Sequence, residues 1–269
     1  MTHKLQIWVV TGGHPFNRRR FAEMFASFEN IDAIWLSQPA AAAQLNPTNA
    51  KSIDAVVFYD MPGIEVSNGD IRFSDHPCPA QFVALLRQGI GCVFLHHAIA
   101  AWPTWNDYAE IVGGRFLFRP DTLRGKALPD SGFAPAVTHH VYITDKAHPV
   151  VRGVEDGFTV ADEAYLCTVF EDSVTPLLRS DRHFTDEEFF SAAESAKSGQ
   201  ATRAGWSHPA GSNLLAWTKA AYSSPVIYLQ LGDGPATYEN ENFRKLVANA
   251  IAWSASEEAH KWAKENSGG

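Results

Sequence analysis

Gly89-Ile-Gly-Cys-Val-Phe-Leu-His-His-Ala-Ile-Ala-Ala-Trp-Pro-Thr-Trp105 is the stretch whose reading decides the fold. Residues 92–95 form a short apolar run behind two glycines, the pattern of a strand buried on both faces. The run delivers His96 and His97 at its carboxyl end, and ligands of open α/β sheets bind outside the carboxyl ends of the strands. Pro103 suits the first turn of a helix, and Trp105, Tyr108, Ile111 and Val112 repeat at helical spacing until Gly113 stops it. The stretch reads as strand, histidine-bearing turn, helix.

Upstream, residues 5–10 are β-rich and apolar, and Thr11-Gly-Gly-His-Pro15 follows as a turn. Phe21, Met24, Phe25 and Phe28 then make the apolar stripe of an amphipathic helix. Residues 33–36 and 55–59 read as the next strands. Asp60-Met-Pro-Gly63 breaks the second of them, a polar loop runs to His76, and Phe82, Leu85 and Leu86 mark a helix feeding the central strand. Strands alternating with helices predict an α/β fold, a doubly wound, mostly parallel sheet with helices on both faces. That topology draws His14, Asp60 and the His96-His97 pair into one neighbourhood.

Downstream, residues 115–212 are less regular, with β-like runs at 137–143, 163–167 and 174–178. They read as an elaboration packed over the same sheet, because no Gly-rich phosphate loop opens a helix there. Residues 186–199 read as an exposed helix or mobile excursion. The chain returns to the core at 214–217 and 226–231, and Phe243, Leu246, Val247, Ala250 and Ile251 make a closing helix. The expected organisation is one domain over residues 1–258, with 259–269 a frayed tail.

Of the 269 residues, 45% are hydrophobic and 19% charged, ordinary for a globular chain, and the net charge of −8 argues against a nucleic-acid partner. No apolar run approaches the roughly 20 residues that span a bilayer, and the opening residues lack signal-peptide features. Cys78, Cys92 and Cys167 are too few and scattered for a disulfide framework, so a reducing cytoplasm is the expected compartment. Homo-oligomerisation is compatible with this composition. The fingerprints of nucleotide and flavin sites are absent, as is a Gly-x-Ser-x-Gly elbow.

Three clusters can carry chemistry. At the end of the central strand, His96 and His97 point to opposite sides, so one enters a cleft while the other packs beneath, and imidazole suits acid or base work near neutral pH. In Thr138-His-His-Val-Tyr142, alternation sets His140 on one face with Thr138 and Tyr142, and His139 on the other. Asp162 and Glu163 precede Tyr165; adjacent carboxylates cannot both face one cleft, so one acts there and the other caps or is solvated. Trp105 and Tyr165 are candidate apolar walls for a sugar. Composition also allows a divalent ion, zinc or manganese, on His14, His97, His140 and a carboxylate, although no familiar metal-site spacing occurs.

Taken in order, Thr11-Gly-Gly-His14, Asp54-Ala-Val-Val-Phe-Tyr-Asp60, Phe94-Leu-His-His-Ala98, Trp105-Asn-Asp-Tyr-Ala-Glu-Ile-Val-Gly-Gly-Arg-Phe116, His148-Pro-Val-Val-Arg-Gly153, Asp162-Glu-Ala-Tyr165 and Asn242-Phe-Arg-Lys-Leu-Val-Ala-Asn-Ala-Ile-Ala-Trp253 resemble the trehalose-utilisation (ThuA-like) proteins. The resemblance implies a class I glutamine amidotransferase-like, flavodoxin-like fold. It also implies a role in carbohydrate catabolism, on a disaccharide or glycoside or its 3-keto form. In the amidotransferases that this fold resembles, a cysteine occupies the turn after the central strand. Here the turn carries His96-His97 while Cys92 lies inside the strand, so glutamine hydrolysis is disfavoured. The family pattern ends a late strand on Gly-His, where this chain has Gly232-Asp233, and that exchange changes charge and proton chemistry.

The expected mechanism is elimination or hydrolysis with His97 or His140 as base and Glu163 as acid. His14, Asp60, His96, Trp105, Asp162, Tyr165 and Asp233 are the expected substrate contacts. The rival reading is a catalytically silent sugar-binding or regulatory protein on the same scaffold.

Overall fold

In the computed structural model, which describes residues 4–267, the expected first strand is β1 (Leu5–Gly12). Helix α1 (Arg18–Ala26) starts on the Asn17 side chain, which accepts from the Arg20 amide, and it buries Phe21, Met24 and Phe25. Strand β2 (Ile31–Ser37), the single turn α2 (Ala41–Gln44) and β3 (Ala55–Asp60) follow. The polar segment beyond holds a hairpin, β4 (Ile64–Ser67) with β5 (Asp70–Phe73). Helix α3 (Pro79–Arg87) then feeds β6 (Gly91–Leu95), every residue of which is buried. A 3-10 turn, His96–Ala100, leads to α4 (Asn106–Val112), and Gly113 ends that helix in the left-handed conformation, φ 92°, that a side chain would disfavour.

Three short strands come next: β7 (Gly114–Arg115), β8 (Asp121–Leu123) and β9 (Lys126–Leu128). The long strands β10 (Gly132–Ile143) and β11 (Phe158–Leu166) are followed by β12 (Thr168–Val169), β13 (Thr175–Ser180), β14 (Phe190–Ser191) and helix α5 (Ala192–Ser198). Strands β15 (Leu214–Ala221) and β16 (Ser224–Leu229) return to the centre, and α6 (Pro235–Glu239), α7 (Glu241–Ser254) and α8 (Glu257–Asn266) close the chain.

The main sheet has the order β11-β10-β13-β15-β16-β6-β3-β1-β2, with β14 beside β10. From β16 to β2 all neighbours run parallel. The order β2-β1-β3-β6-β16 is the flavodoxin-like arrangement, in which ligands sit where the strand order reverses. From β15 outward every pairing is antiparallel. The elaboration therefore lengthens the sheet at its edge instead of covering a face, because β10, β11 and β13 spend their backbone bonds on the sheet itself.

Alternate side chains along the strands feed two cores. Ile7, Val9, Val57, Val93, Leu95 and Ile227 pack with Phe21 of α1 and Leu246, Val247 and Ile251 of α7. Val10, Val56, Phe58, Phe94 and Tyr228 pack with Phe82 of α3 and Ile111 of α4 on the other face. Two expectations are corrected. The 186–199 segment contains α5, which buries Ala192, Ala193 and Ser195. The chain does not fray at residue 259: Ser256 caps α8 by accepting from the Ala259 amide, and Ala259 and Ala263 are small enough to bring it against the sheet.

His139 on β10 is fully buried, with Nδ1 2.9 Å from Ser180 Oγ and Nε2 without a partner among the described residues. Burial, helped by the nearby Arg182, pushes its pKa down to about 4. The unfolded chain takes up a proton below about pH 6.5 that the folded protein refuses until about pH 4, so stability is lost as pH falls through that window. For His139→Leu, the loss of unfolding free energy between pH 7.5 and pH 5 should shrink by about 2 kcal/mol, read from urea midpoints at the two pH values.

Candidate active site

The carboxyl ends of β1, β3, β6 and β16 meet at one edge, and β11, the far edge strand, is tied to that edge through Asp162, which accepts from the Gly232 amide. Beyond β1, Gly13 takes φ 81° under the Met61 carbonyl, where a Cβ would collide, and this close approach sets His14 at the rim. Beyond β6, His96 itself adopts φ 47°. Such a conformation costs a non-glycine residue on the order of 1 kcal/mol and is characteristic of functional turns. The Tyr228 hydroxyl donates to the His96 carbonyl at 2.9 Å and helps hold the strained residue.

The His96 ring is fully buried, and its two nitrogens have different partners. Nδ1 lies 2.6 Å from the Gln230 carbonyl, which can only accept, so Nδ1 carries a hydrogen. Nε2 faces Tyr165 Oη at 2.8 Å, Glu163 Oε2 at 3.1 Å and Asp233 Oδ1 at 3.5 Å. Burial alone would lower the pKa of this imidazole, but the hydrogen bonds to Asp233 and Glu163 outweigh it and raise the value to about 10. The same contact holds the Asp233 carboxyl below its usual range. Near neutral pH that raised value favours a proton on both His96 nitrogens, beside the Asp233 and Glu163 side chains. One nitrogen and two carboxylate oxygens within 4.8 Å of one another also make His96, Glu163 and Asp233 the residues that could hold a metal ion.

Asp162 and Glu163 divide as alternation requires. Asp162 accepts the Gly232 and Asp233 amides at 2.6 and 3.2 Å, fixing the turn that carries Asp233, while Glu163 lines the cleft. The cleft encloses about 570 Å³. His14, Glu163 and Tyr165 line it together with the apolar Val66, Phe116, Phe118, Phe133 and Pro135, and Ser195 and Gln200 add polar groups beside Ala196. His14 is held below its usual pKa by burial and by the His96 charge, which keeps it neutral near pH 7.

Several expected contacts lie elsewhere. The His97 ring is buried between His14 and Tyr59, with centroids 4.4 and 4.3 Å away, and neither ring nitrogen has a partner among the described residues. Burial and the neighbouring histidines drive its pKa well down, so His97 is a neutral support for His14. His140 faces the expected side but pairs with Thr159, four residues before Glu163 on β11 and so about 13 Å along the strand. The metal set drawn from His14, His97, His140 and a carboxylate is therefore not assembled.

Asp60 shares the buried face of Val56 and Phe58; its Oδ2 accepts from Gln38 at 2.7 Å, and burial raises its pKa to about 7. Trp105 meets His76 and Phe82 edge-on and Tyr108 at a tilt, away from the cleft lining. Cys92 is fully buried inside β6, and burial pushes its thiol up, which leaves it inert.

Sequence reasoning missed Phe116, Phe118 and Phe133, which follow no periodic pattern. It also missed the Gln230 carbonyl, which a side-chain motif cannot reveal. Arg115 escaped as well: fully buried, it donates to the carbonyls of Ala101, Trp102 and Trp105 at 2.6, 3.0 and 2.8 Å and pins the segment behind His96.

The sequence pattern described as trehalose utilisation, ThuA, matches residues 9–254. The chain belongs to the ThuA family. Among solved structures, a protein described as ThuA-like from Parabacteroides merdae superposes with a TM-score of 0.63 at 16% identity, covering 94% of this chain and 90% of that one. A second described as ThuA-like, from Bacteroides uniformis, gives 0.62 at 14% identity, covering 96% and 94%. A chain of the PurLQS structure from Thermotoga maritima gives 0.52 at 10% identity, covering 93% and 99%. These likenesses concern the fold, which is that of the class I glutamine amidotransferases. No curated protein matches the sequence. Among the described residues of this ThuA protein, no helix is long and apolar enough to cross a membrane.

Proposed function

We propose that this ThuA protein cleaves a glycoside in its 3-keto form by acid-base elimination, with hydrolysis as the net result when water adds to the product. The observation that carries this reading is that His14, a neutral imidazole, and Glu163 line the same cleft, with the buried His96 and Asp233 grouped behind Glu163. A ketone at C3 acidifies the C2–H bond. His14 takes that proton, the electron pair forms the C1=C2 bond, and the C1–O bond breaks toward the aglycone. The proton on His96 Nε2, 3.1 Å from Glu163, passes through the Glu163 carboxylate to the departing oxygen, leaving His96 neutral, and the proton taken by His14 returns through solvent.

The cluster also supports the enolate oxygen that develops as the proton leaves, which is the larger electrostatic demand of the step. The three phenylalanines Phe116, Phe118 and Phe133 in the lining suit an aryl or alkyl aglycone. Unpaired cysteines at 78, 92 and 167 fit a reducing cytoplasm.

The test is turnover of phenyl 3-keto-glucoside by the wild type and by His14→Gln. The variant should lose roughly 10²- to 10⁴-fold in kcat. Its thermal shift with the unoxidised phenyl glucoside should be unchanged. A wild type that turns over no 3-keto glycoside would remove the reading and favour a sugar-binding role.

A further inference from the structure

His96, Glu163 and Asp233 come from three separate elements, the turn after β6, strand β11 and the loop after β16, yet they present one donor atom each to a common point. The separations from His96 Nε2 are 3.1 Å to Glu163 Oε2 and 3.5 Å to Asp233 Oδ1. A tetrahedral ion with bonds of 2.0–2.1 Å keeps its ligands about 3.3–3.4 Å apart, so these edges already have the right length. We propose that His96 Nε2, Glu163 and Asp233 form a divalent-cation site with an open position facing the cleft. The proposal rests on the glycoside reading only for what the ion does there.

Orientation supports the ligand assignment. The 2.6 Å contact with the Gln230 carbonyl fixes the hydrogen on Nδ1 and leaves Nε2 as the metal-facing atom, the arrangement usual for metal-bound histidine. Asp162 plays the equivalent part for Asp233 by holding the backbone amides of the Gly232-Asp233 turn. Charge agrees as well: a neutral imidazole and two carboxylates sum to −2, which a divalent ion cancels, whereas a proton on Nε2 cancels half. Access is present, because Glu163 lines the cleft and the Asp233 side chain is 41% exposed. Three protein ligands with one free position are the composition of a catalytic site, in which the ion would polarise the substrate oxygen. With the ion bound, His96 Nε2 and Glu163 would be its ligands and carry no proton, so the ion itself would take over the support of the departing oxygen.

The test uses full-length protein made without a histidine tag, stripped by dialysis against chelator and titrated calorimetrically with zinc or manganese chloride. One equivalent should bind per chain with a raised melting temperature, and Glu163→Gln and Asp233→Asn should each weaken binding at least ten-fold. Asp233 is half-exposed, so its variant should keep the fold even where a His96 variant loses it. His140→Gln and His208→Gln should bind as the wild type does. The absence of saturable one-equivalent binding, or binding that survives both carboxylate variants, overturns the proposal. Tight binding without turnover of any 3-keto glycoside would leave the cation site standing and remove the glycoside reading instead.

Discussion

Glu163→Gln should lower kcat/KM on a 3-keto glycoside by roughly 10³-fold while leaving the melting temperature within a degree or two of the wild type. Glutamine has nearly the same shape and can still meet the Tyr165 and His96 groups, so packing is preserved. It cannot deliver a proton, and general acid catalysis contributes about 10²- to 10⁴-fold. His140→Gln is the matched control, since that residue pairs with Thr159 well away from the cleft and should retain full activity. His97→Ala separates the two roles of the histidine pair. Its ring touches His14 and Tyr59 and not the cleft, so the variant should lose stability and positioning of His14. Steady-state kinetics with thermal melts on the three variants check the whole set, and equal losses for Glu163→Gln and His140→Gln would refute the assignment.

The largest effect on stability should come from Arg115→Met. The guanidinium is 1% exposed, and burial lowers its pKa only to about 10, so it stays charged near neutral pH. Methionine fills similar space but leaves three carbonyls, those of Ala101, Trp102 and Trp105, without their charged donor. Unsatisfied buried acceptors cost about 1–3 kcal/mol each, with partial relief from relaxation, so a net loss of about 3–5 kcal/mol is expected. Lysine at the same position should recover little, because an ammonium cannot span the three carbonyls as the planar fork does. Urea denaturation measures both variants, and a loss below about 1 kcal/mol for Arg115→Met would show that the segment behind His96 is held by other contacts.

Much of the fold was legible because the strands 5–12, 55–60 and 91–95 are buried on both faces and therefore nearly continuous in apolar residues. The helix after Pro103 announced itself by spacing and by Gly113. The edge strands were harder: β10 and β11 are half-exposed, their alternation is broken by a bulge between Ala134 and Val137, and nothing in the pattern says whether they cover the sheet or extend it. Alternation separated Asp162 from Glu163 but did not say which faces the cleft, and Asp162, expected as a substrate contact, instead accepts the Gly232 and Asp233 amides. Which of His96 and His97 faces the working side was not, because the left-handed turn at His96, φ 47°, abolishes the simple up-and-down rule where it was needed. His140 was assigned by face without register, and register alone removes it. The Gln230 carbonyl and the phenylalanines lining the cleft depend on backbone and loop positions that no local motif encodes.

In the proposed reaction the first chemical event is removal of the C2 proton of a 3-keto glycoside. The most direct measurement is proton NMR of phenyl 3-keto-glucoside incubated with the wild-type protein in deuterium oxide. Phenol should be released and the sugar product should carry deuterium at C2. With Glu163→Gln, exchange at C2 should continue while phenol release slows. Release of phenol from a sugar that keeps its C2 hydrogen, or from the unoxidised glucoside at the same rate, would contradict the proposed reaction.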